Sequence, residues 1–584
     1  MIDRISLWVL CLGAFAIPLV YLRDTHDEFV LPKLLFAHVL LVLLLALHTA
    51  RWAAGGVLAV RRTPLDLPIL AFLASALVAT IFSVNRNVAI FGTYIRYEGL
   101  LTLATYAGLF WLAAQTAWRS DRAQILMRSL LIGAYVVSVI AVVQWVIADV
   151  ATTVPTEASG FGYAGFPRAS ATLSNPTMLG AFLAMLLPVG VAELLEGRAL
   201  THRILAANVV FMMALALALS FARSAWLGAI AGLVIAIAAP QRTPLRERLA
   251  LCGAGLVLVL AVLAGAALAG GRLSLIPSLL NRLVSIETNL TSATPSTGSI
   301  RIRTWEGTIP LIASRPIEGY GPDTFGMVYP RFRTGDWTPG FVTDKAHSEP
   351  LQIGATQGVL GVASYLWILG ASGLAFWRGR RNLGAAGAVG GVVAYQVWAL
   401  TNFSWLPAAV PYWLFLAAAV GIWKGELPAT TFRRVPRPVG AVPAAIMGLA
   451  LLGLAAANTA SEWSADAHYA AALAAEARGD LSGARTNLAQ ARVLAPEQAW
   501  YATEAGRLAL RSKEPGQARW VAAEEAYSAA ARLGTYYSAV YYNLALSDLQ
   551  LNRRAEAIAA LHRALDLSPG DPATLALLRQ VSGA

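Results

Sequence analysis

Apolar runs long enough to cross the roughly 30 Å hydrocarbon layer as helices, about 17 to 25 residues each, recur along the chain from residue 5 to residue 458. The pattern predicts spans near 5–22, 30–50, 65–83, 99–117, 128–148, 176–195, 203–221, 224–240, 249–269, 350–376, 384–401, 405–423 and 438–458, thirteen in all. These runs carry few polar positions on any face, as helices facing lipid or buried among other helices require. No small-residue cleavage site follows the first run, which reads as a retained span. The longest stretch between spans, 270–349, is the expected outer catalytic loop.

Beyond residue 461 the pattern becomes amphipathic and repeats. Ala484, Leu488, Ala491 and Pro496 recur as Ala557, Leu561, Ala564 and Pro569, the A-x3-L-x2-A-x4-P spacing of tetratricopeptide (TPR) helix pairs. The two prolines lie 73 residues apart, leaving room for a middle repeat lengthened by five residues around Ala523, Tyr527 and Ala530. Small alanines let paired helices approach closely, and three repeats are about the minimum for a shared core. The expected fold is therefore all-α: a polytopic membrane helical bundle over 1–460, then a TPR-like α-solenoid over 461–584. Such a solenoid either binds a peptide or protein partner or serves as a stabilising cap.

Composition agrees with a bilayer environment. Hydrophobic residues make up 57% and charged residues only 13%, about half the charged share of ordinary soluble domains. The net charge of +12 does not point to nucleic acid: residues 461–584 carry 12 Lys+Arg against 13 Asp+Glu, so the excess sits in short loops between spans. Every second loop is basic (Arg51, Arg61 and Arg62; Arg119, Arg122 and Arg128; Arg198 and Arg203; Arg242, Arg246 and Arg248; Arg378, Arg380 and Arg381; Lys424, Arg433, Arg434 and Arg437), which predicts a cytoplasmic N-terminus. An odd span count then sends loop 270–349 and the repeats to the opposite, outer face. Cys11 and Cys252 both lie in apolar runs, against a disulfide framework or a thiolate metal site. With no P-loop, no H-E-x-x-H and no Cys/His metal spacing, neither a cofactor nor a metal is expected.

The outer loops concentrate arginines and one histidine. Arg223 interrupts a nearly continuous apolar stretch from Ile204 to Ala239, at a tight turn between two spans. It is either a snorkelling interfacial arginine or an anion ligand at the bundle interior. Ser299-Ile300-Arg301-Ile302-Arg303-Thr304-Trp305 predicts a short helix capped by Ser299 and stopped near Pro310, with Arg301 and Trp305 on one face and Arg303 on another. A guanidinium grips phosphate oxygens bidentately and stays charged. His347, in Ala346-His347-Ser348-Glu349, closes the long loop; an imidazole can take a proton from a hydroxyl near neutral pH, with Asp344 or Glu349 as its partner. The segment from Phe166 through Arg168 to Asn175-Pro176 either lines a substrate cavity or caps the sixth span.

In this order, Arg168–Leu187, Ser220–Gly228, Arg301–Pro316 with Gly319–Phe325, and Ala346–Gly361 resemble the O-antigen ligase superfamily of ligases, polymerases and protein O-oligosaccharyltransferases. The resemblance implies a fold like the C-type membrane glycosyltransferases and a metal-independent reaction. It implies an undecaprenyl-pyrophosphate-type glycan donor, a glycan, lipid or protein acceptor, and residence in a bacterial inner membrane. It also implies that Arg223 and Arg301 are the paired pyrophosphate ligands and His347 the essential loop histidine. The chain departs from the family pattern in having Ser348 where Asn is common and in carrying repeats. A transporter or lipid-carrier flippase would use the same arginines as a substrate path, but no inverted internal repeat is seen.

Overall fold

A computed structural model describes residues 1–55, 58–147, 168–197, 199–238, 244–269, 297–334, 342–379, 383–432, 441–512 and 516–583, with 277 and 279 as isolated positions. Phe166, Pro167, Arg198, Arg242, Arg380, Arg381, Arg433, Arg434, Arg437 and most of 270–296 lie outside them. The first half of the chain forms α1 (Ile2–Ala16), α2 (Val30–Gly55), α3 (Asp66–Ile81), α4 (Arg86–Phe91), α5 (Leu100–Thr116), α6 (Ser120–Ile147), α7 (Pro176–Glu196), α8 (Leu200–Leu219), α9 (Arg223–Ala238) and α10 (Leu245–Ala269). Then follow α11 (Thr297–Ser314), α12 (Phe325–Val328), α13 (Glu349–Gly379), α14 (Leu383–Ala399), α15 (Leu406–Lys424) and α16 (Ala441–Ala477). The last six are α17 (Leu481–Leu494), α18 (Ala499–Leu510), α19 (Ala518–Leu533), α20 (Ser538–Gln550), α21 (Arg554–Leu567) and α22 (Pro572–Ser582). The protein is all-α and polytopic; its one described sheet pairs β1 (Leu58–Arg61) with β2 (Ala429–Phe432) in antiparallel register.

Each of the thirteen predicted spans coincides with a helix. Among the described residues, seven of these helices are long and apolar enough to cross a membrane, and three shorter apolar helices accompany them. Helices α7 and α15 are apolar all round and almost wholly buried, which puts them at the centre of the bundle. Helices α9 and α14 cross with backbone nearly touching backbone: a Cβ on Gly232 would lie 2.3 Å from Gly390 O, and one on Gly390 would lie 2.4 Å from Gly232 O. Small residues at such crossings let van der Waals packing hold helices together where no hydrophobic force does. Gly232→Leu is expected to cost about 1–3 kcal/mol or more by overpacking, read as a lower midpoint of thermal unfolding in detergent. An unchanged midpoint would mean the two helices can separate without penalty.

The bundle has two distinct ends. At the sheet end, β1 and β2 meet, Ser120 N donates to Gly425 O, Arg128 pairs with Glu193 at 3.0 Å, and Gly384 N donates to Glu196. Loops that the charge pattern groups together are therefore neighbours. The loops of the other end hold the candidate site.

Two elements differ from the sequence reading. Helix α13 is broken at Gly358 (φ 64°, ψ −161°), where Val359 N donates to Pro316 O and Tyr320 N to Ala355 O. A Cβ on Gly358 would meet Ile317 O at 2.2 Å, so the glycine permits both the left-handed backbone and the close approach. Helix α16 runs 37 residues without interruption, so the expected boundary at 460/461 falls inside one helix, not in a linker. Its far half packs with α17 as a first hairpin, two more follow, α18/α19 and α20/α21, and α22 closes the stack against α21. Their alanines are the buried positions the repeat spacing singles out: Ala484, Leu488 and Ala491, then Ala523, Tyr527 and Ala530, then Ala557, Leu561 and Ala564.

Candidate functional site

Arg223 opens α9 after a reversal of three residues. Ser220 Oγ donates to Leu217 O (2.7 Å) and accepts from Ala222 N (3.2 Å), local bonds that compete with helix continuation. Phe221, buried at φ 51°, turns the chain. The preceding segment is fastened to this turn: Arg168 Nε donates to Ser220 O (3.0 Å) and Ala169 N to Leu219 O (3.0 Å). Asn175 then caps α7, its side chain accepting from Thr177 N (2.8 Å) with Pro176 at the first helical position. Asn175 also lines a cavity described below, so capping and lining are one role.

Arg301 lies on α11, which begins at Thr297 and continues through Pro310 to Ser314. Ser299 is thus inside the helix rather than its cap, and Pro310 does not end it. Trp305, one turn on, donates its indole N–H to Ala346 O (3.0 Å), which anchors the helix beside the His347 loop. Arg301 donates to Asn402 Oδ1 (3.2 Å), while Asn402 Nδ2 donates to Ser224 Oγ (2.8 Å). Asn402 is 3% exposed and so ties the residue next to Arg223 directly to Arg301. Arg303 occupies another face of α11, where its carbonyl accepts from Tyr329.

His347 is half-buried, at φ 52°, with its ring 5.4 Å from Phe403 in edge-on contact. Burial, and next the positive charge of Arg301, push its pKa down to about 4, so the imidazole is neutral at pH 7. The carboxylates expected to partner it are committed elsewhere. Asp344 pairs with Arg96 at 2.6 Å; burial alone would raise its pKa, but the Arg96 charge and hydrogen bond outweigh that and hold it low. Glu349 accepts from Ser404 N (2.6 Å). Neither hydrogen-bonds the imidazole, on which Asp344 acts through charge alone.

A second tier holds these loops in place. Asp323 accepts from Thr93 N (2.6 Å) and pairs with Lys345, locking three loops into one block in which both charges are buried. Arg96 lies over the Trp405 ring at 4.7 Å. Among the described residues, seven of the eight non-glycine positions with positive φ fall at this end: Ile95, Tyr97, Ala171, Ser174, Phe221, Asp323 and His347. Strained backbone of this kind persists where surrounding structure over-determines it, and it clusters at functional sites.

The structure thus brings Arg301, His347 and the Arg223 turn together at one end of the bundle, with Arg168 and Asn175 beside the turn. Sequence reasoning assigned no role at the site to Asn402, Asp323 or Arg96. The available signal was polar side chains at a junction between two spans, as in Thr401-Asn402-Phe403-Ser404, where an uncompensated polar group is costly. Residues 208–366 match the family model described as O-Antigen ligase. No curated protein matches the chain.

Proposed function

Starting from a multi-pass membrane chain that residues 208–366 place in the O-antigen ligase superfamily, we propose that it transfers a glycan from an undecaprenyl-pyrophosphate-type carrier to an acceptor hydroxyl on the outer face of the membrane. The donor pyrophosphate docks between Arg223 and Arg301. The acceptor oxygen attacks the anomeric carbon as the bond to pyrophosphate breaks. The lipid pyrophosphate leaves with the electron pair, and His347 orients the hydroxyl and takes its proton. Fixed guanidinium charges stabilise the negative charge that grows on the leaving group, without needing to reorganise. A single displacement inverts the anomeric centre. Asn175 and Asp344 line a cavity beside this centre, while Arg168 and Glu349 hold the Ser220 and Ser404 loops around it.

One observation carries this reading: Asn402 joins Ser224 to Arg301 beside His347, so groups far apart in sequence share one small volume. An apolar cavity of about 350 Å³ between α13 and α14 adds support. It reaches from Pro350 and Leu400 near the site toward Phe376 and Trp423, and Leu366 and Leu400 on its rim are exposed, as a groove for a polyprenyl chain would need. The basic loops gathered at the sheet end favour a cytoplasmic placement for that end, and hence an outer site. On this reading the repeats are TPR-like and extracytoplasmic.

Reconstitution into liposomes with a prenyl-pyrophosphate-linked glycan tests the proposal. Free prenyl pyrophosphate is expected to accumulate in step with the glycan gained by the acceptor. Passage of the intact lipid-linked glycan across the bilayer without cleavage would favour a transporter instead.

A further inference from the structure

The C-terminal hairpins reach the site itself. A cavity of about 220 Å³ beside the His347 loop is walled on one side by Arg96, Asn175, Asp344 and Trp405, and on the other by Tyr536 and Tyr537, which precede α20 in the repeat region. Both tyrosines are half-buried, and their rings lie 4.7 Å apart. Tyr537 leans on Trp500, which stacks in parallel with Tyr94 of the bundle at 5.5 Å. The docking that sets this geometry is polar and specific: Asn85 Nδ2 donates to Leu533 O (3.1 Å), Asn87 Nδ2 to Glu497 O (2.8 Å) and Asp27 N to Asp466 Oδ2 (2.7 Å), while Arg331 pairs with Asp566.

We propose that Tyr536 and Tyr537 complete a saccharide-binding subsite that seats the acceptor sugar beside His347. This deepens the transfer reaction proposed above and rests on it. The lining has the two-sided chemistry of a pyranose ring. Tyr536, Tyr537 and Trp405 give the lining aromatic surface of the kind that matches the apolar C–H faces of a sugar, and Asn175, Asp344 and the tyrosines give it polar groups of the kind that match its hydroxyl edge. The Arg96–Asp344 pair cancels its own charge, so the cavity suits a neutral polyol rather than a phosphate. Its compact shape fits one ring better than an extended peptide, whose backbone groups would need a row of partners. The cavity lies against the loop that carries the imidazole: its lining residues Arg96 and Asp344 both act on His347 electrostatically, and Phe403 packs against both the imidazole and Arg96. The repeat region is thereby part of acceptor recognition rather than a remote docking module.

The test uses the full-length protein in lipid nanodiscs and two measurements. In steady-state transfer with saturating donor, Tyr536→Ala and Tyr537→Ala are each expected to raise the acceptor KM roughly tenfold, leaving kcat and the donor KM within about twofold; Tyr536→Phe and Tyr537→Phe, which keep the ring and lose only the hydroxyl, raise the acceptor KM by a smaller factor, about twofold to fivefold. In saturation-transfer NMR, the oligosaccharide released by mild acid from the source cell's envelope polysaccharide is expected to receive signal from the wild type and not from Tyr537→Ala, and a serine-containing peptide to receive none. An unchanged acceptor KM in the alanine variants overturns the subsite. So does a matched fall in kcat for alanine and phenylalanine variants, which marks a structural role, or a signal on the peptide alone. If the wild type transfers no glycan, the transferase reading fails and the NMR measurement alone decides: a saccharide signal abolished by Tyr537→Ala sustains the subsite, and no signal ends it.

Discussion

Arg301→Ala is expected to lower glycan transfer by about 10²–10³-fold, the usual cost of removing one preorganised charge contact from a transition state. The loss should fall on kcat, because the guanidinium acts most strongly once negative charge has moved onto the leaving pyrophosphate. Arg301→Lys should recover only part of it, since an ammonium keeps the charge but not the planar fork. Asn402→Ala should lose about 10- to 100-fold by releasing a hydrogen bond to a charged group, although Asn402 need not touch the donor. Thermal unfolding of all three in detergent separates lost chemistry from lost fold. If Arg301→Ala transfers glycan at the wild-type rate while folded, the pyrophosphate is held elsewhere and the mechanism is wrong.

His347→Ala is expected to cost about 10²–10⁴-fold, the range for a positioned acid or base. Because His347 sits at φ 52°, alanine alone would not separate loss of the imidazole from a change in loop strain. His347→Gly does: glycine accepts that backbone freely, so an inactive glycine variant assigns the defect to the missing ring, and an active one would assign it to the backbone. The pH profile gives a second reading. The reactive form is neutral, and the folded pKa of about 4 lies below the ordinary 6.5. Transfer limited by this group in the free enzyme should therefore hold steady on acidification from pH 7 to 5 and fall through about pH 4. Arg301 is the leading electrostatic cause of that depression after burial, and a bound pyrophosphate offsets its charge. The acid limb measured at saturating donor should accordingly lie at higher pH than the limb of kcat/KM for the donor. Coincident limbs would place the pyrophosphate away from the Arg301–His347 pair.

Much of the fold was legible because bilayer physics leaves few options. A run of apolar residues with no water to satisfy its backbone must be a helix, and each predicted span is one. The alternating arginines identified which loops share an end, and the Ala-Leu-Ala spacing identified the buried faces of α17, α19 and α21. The ordered motifs located Arg223, Arg301 and His347 as the residues to watch. Several motif positions turned out to do structural work: Gly358 lets α13 break against the Pro316–Gly321 loop, and Trp305 anchors the His347 loop.

What the linear pattern determined by itself was therefore local and periodic: helix, span, buried face, and the residue types suited to a pyrophosphate. Only the tertiary structure decided which loops touch. It diverted Asp344 to Arg96 and Glu349 to Ser404, gave Asn402 the bridge between Ser224 and Arg301, and carried Tyr536 and Tyr537 to a cavity walled also by Asn175. The reason is physical. Helix formation depends on neighbours within a few residues, whereas a partner for a buried charge is chosen among groups hundreds of positions away by packing that no periodicity encodes.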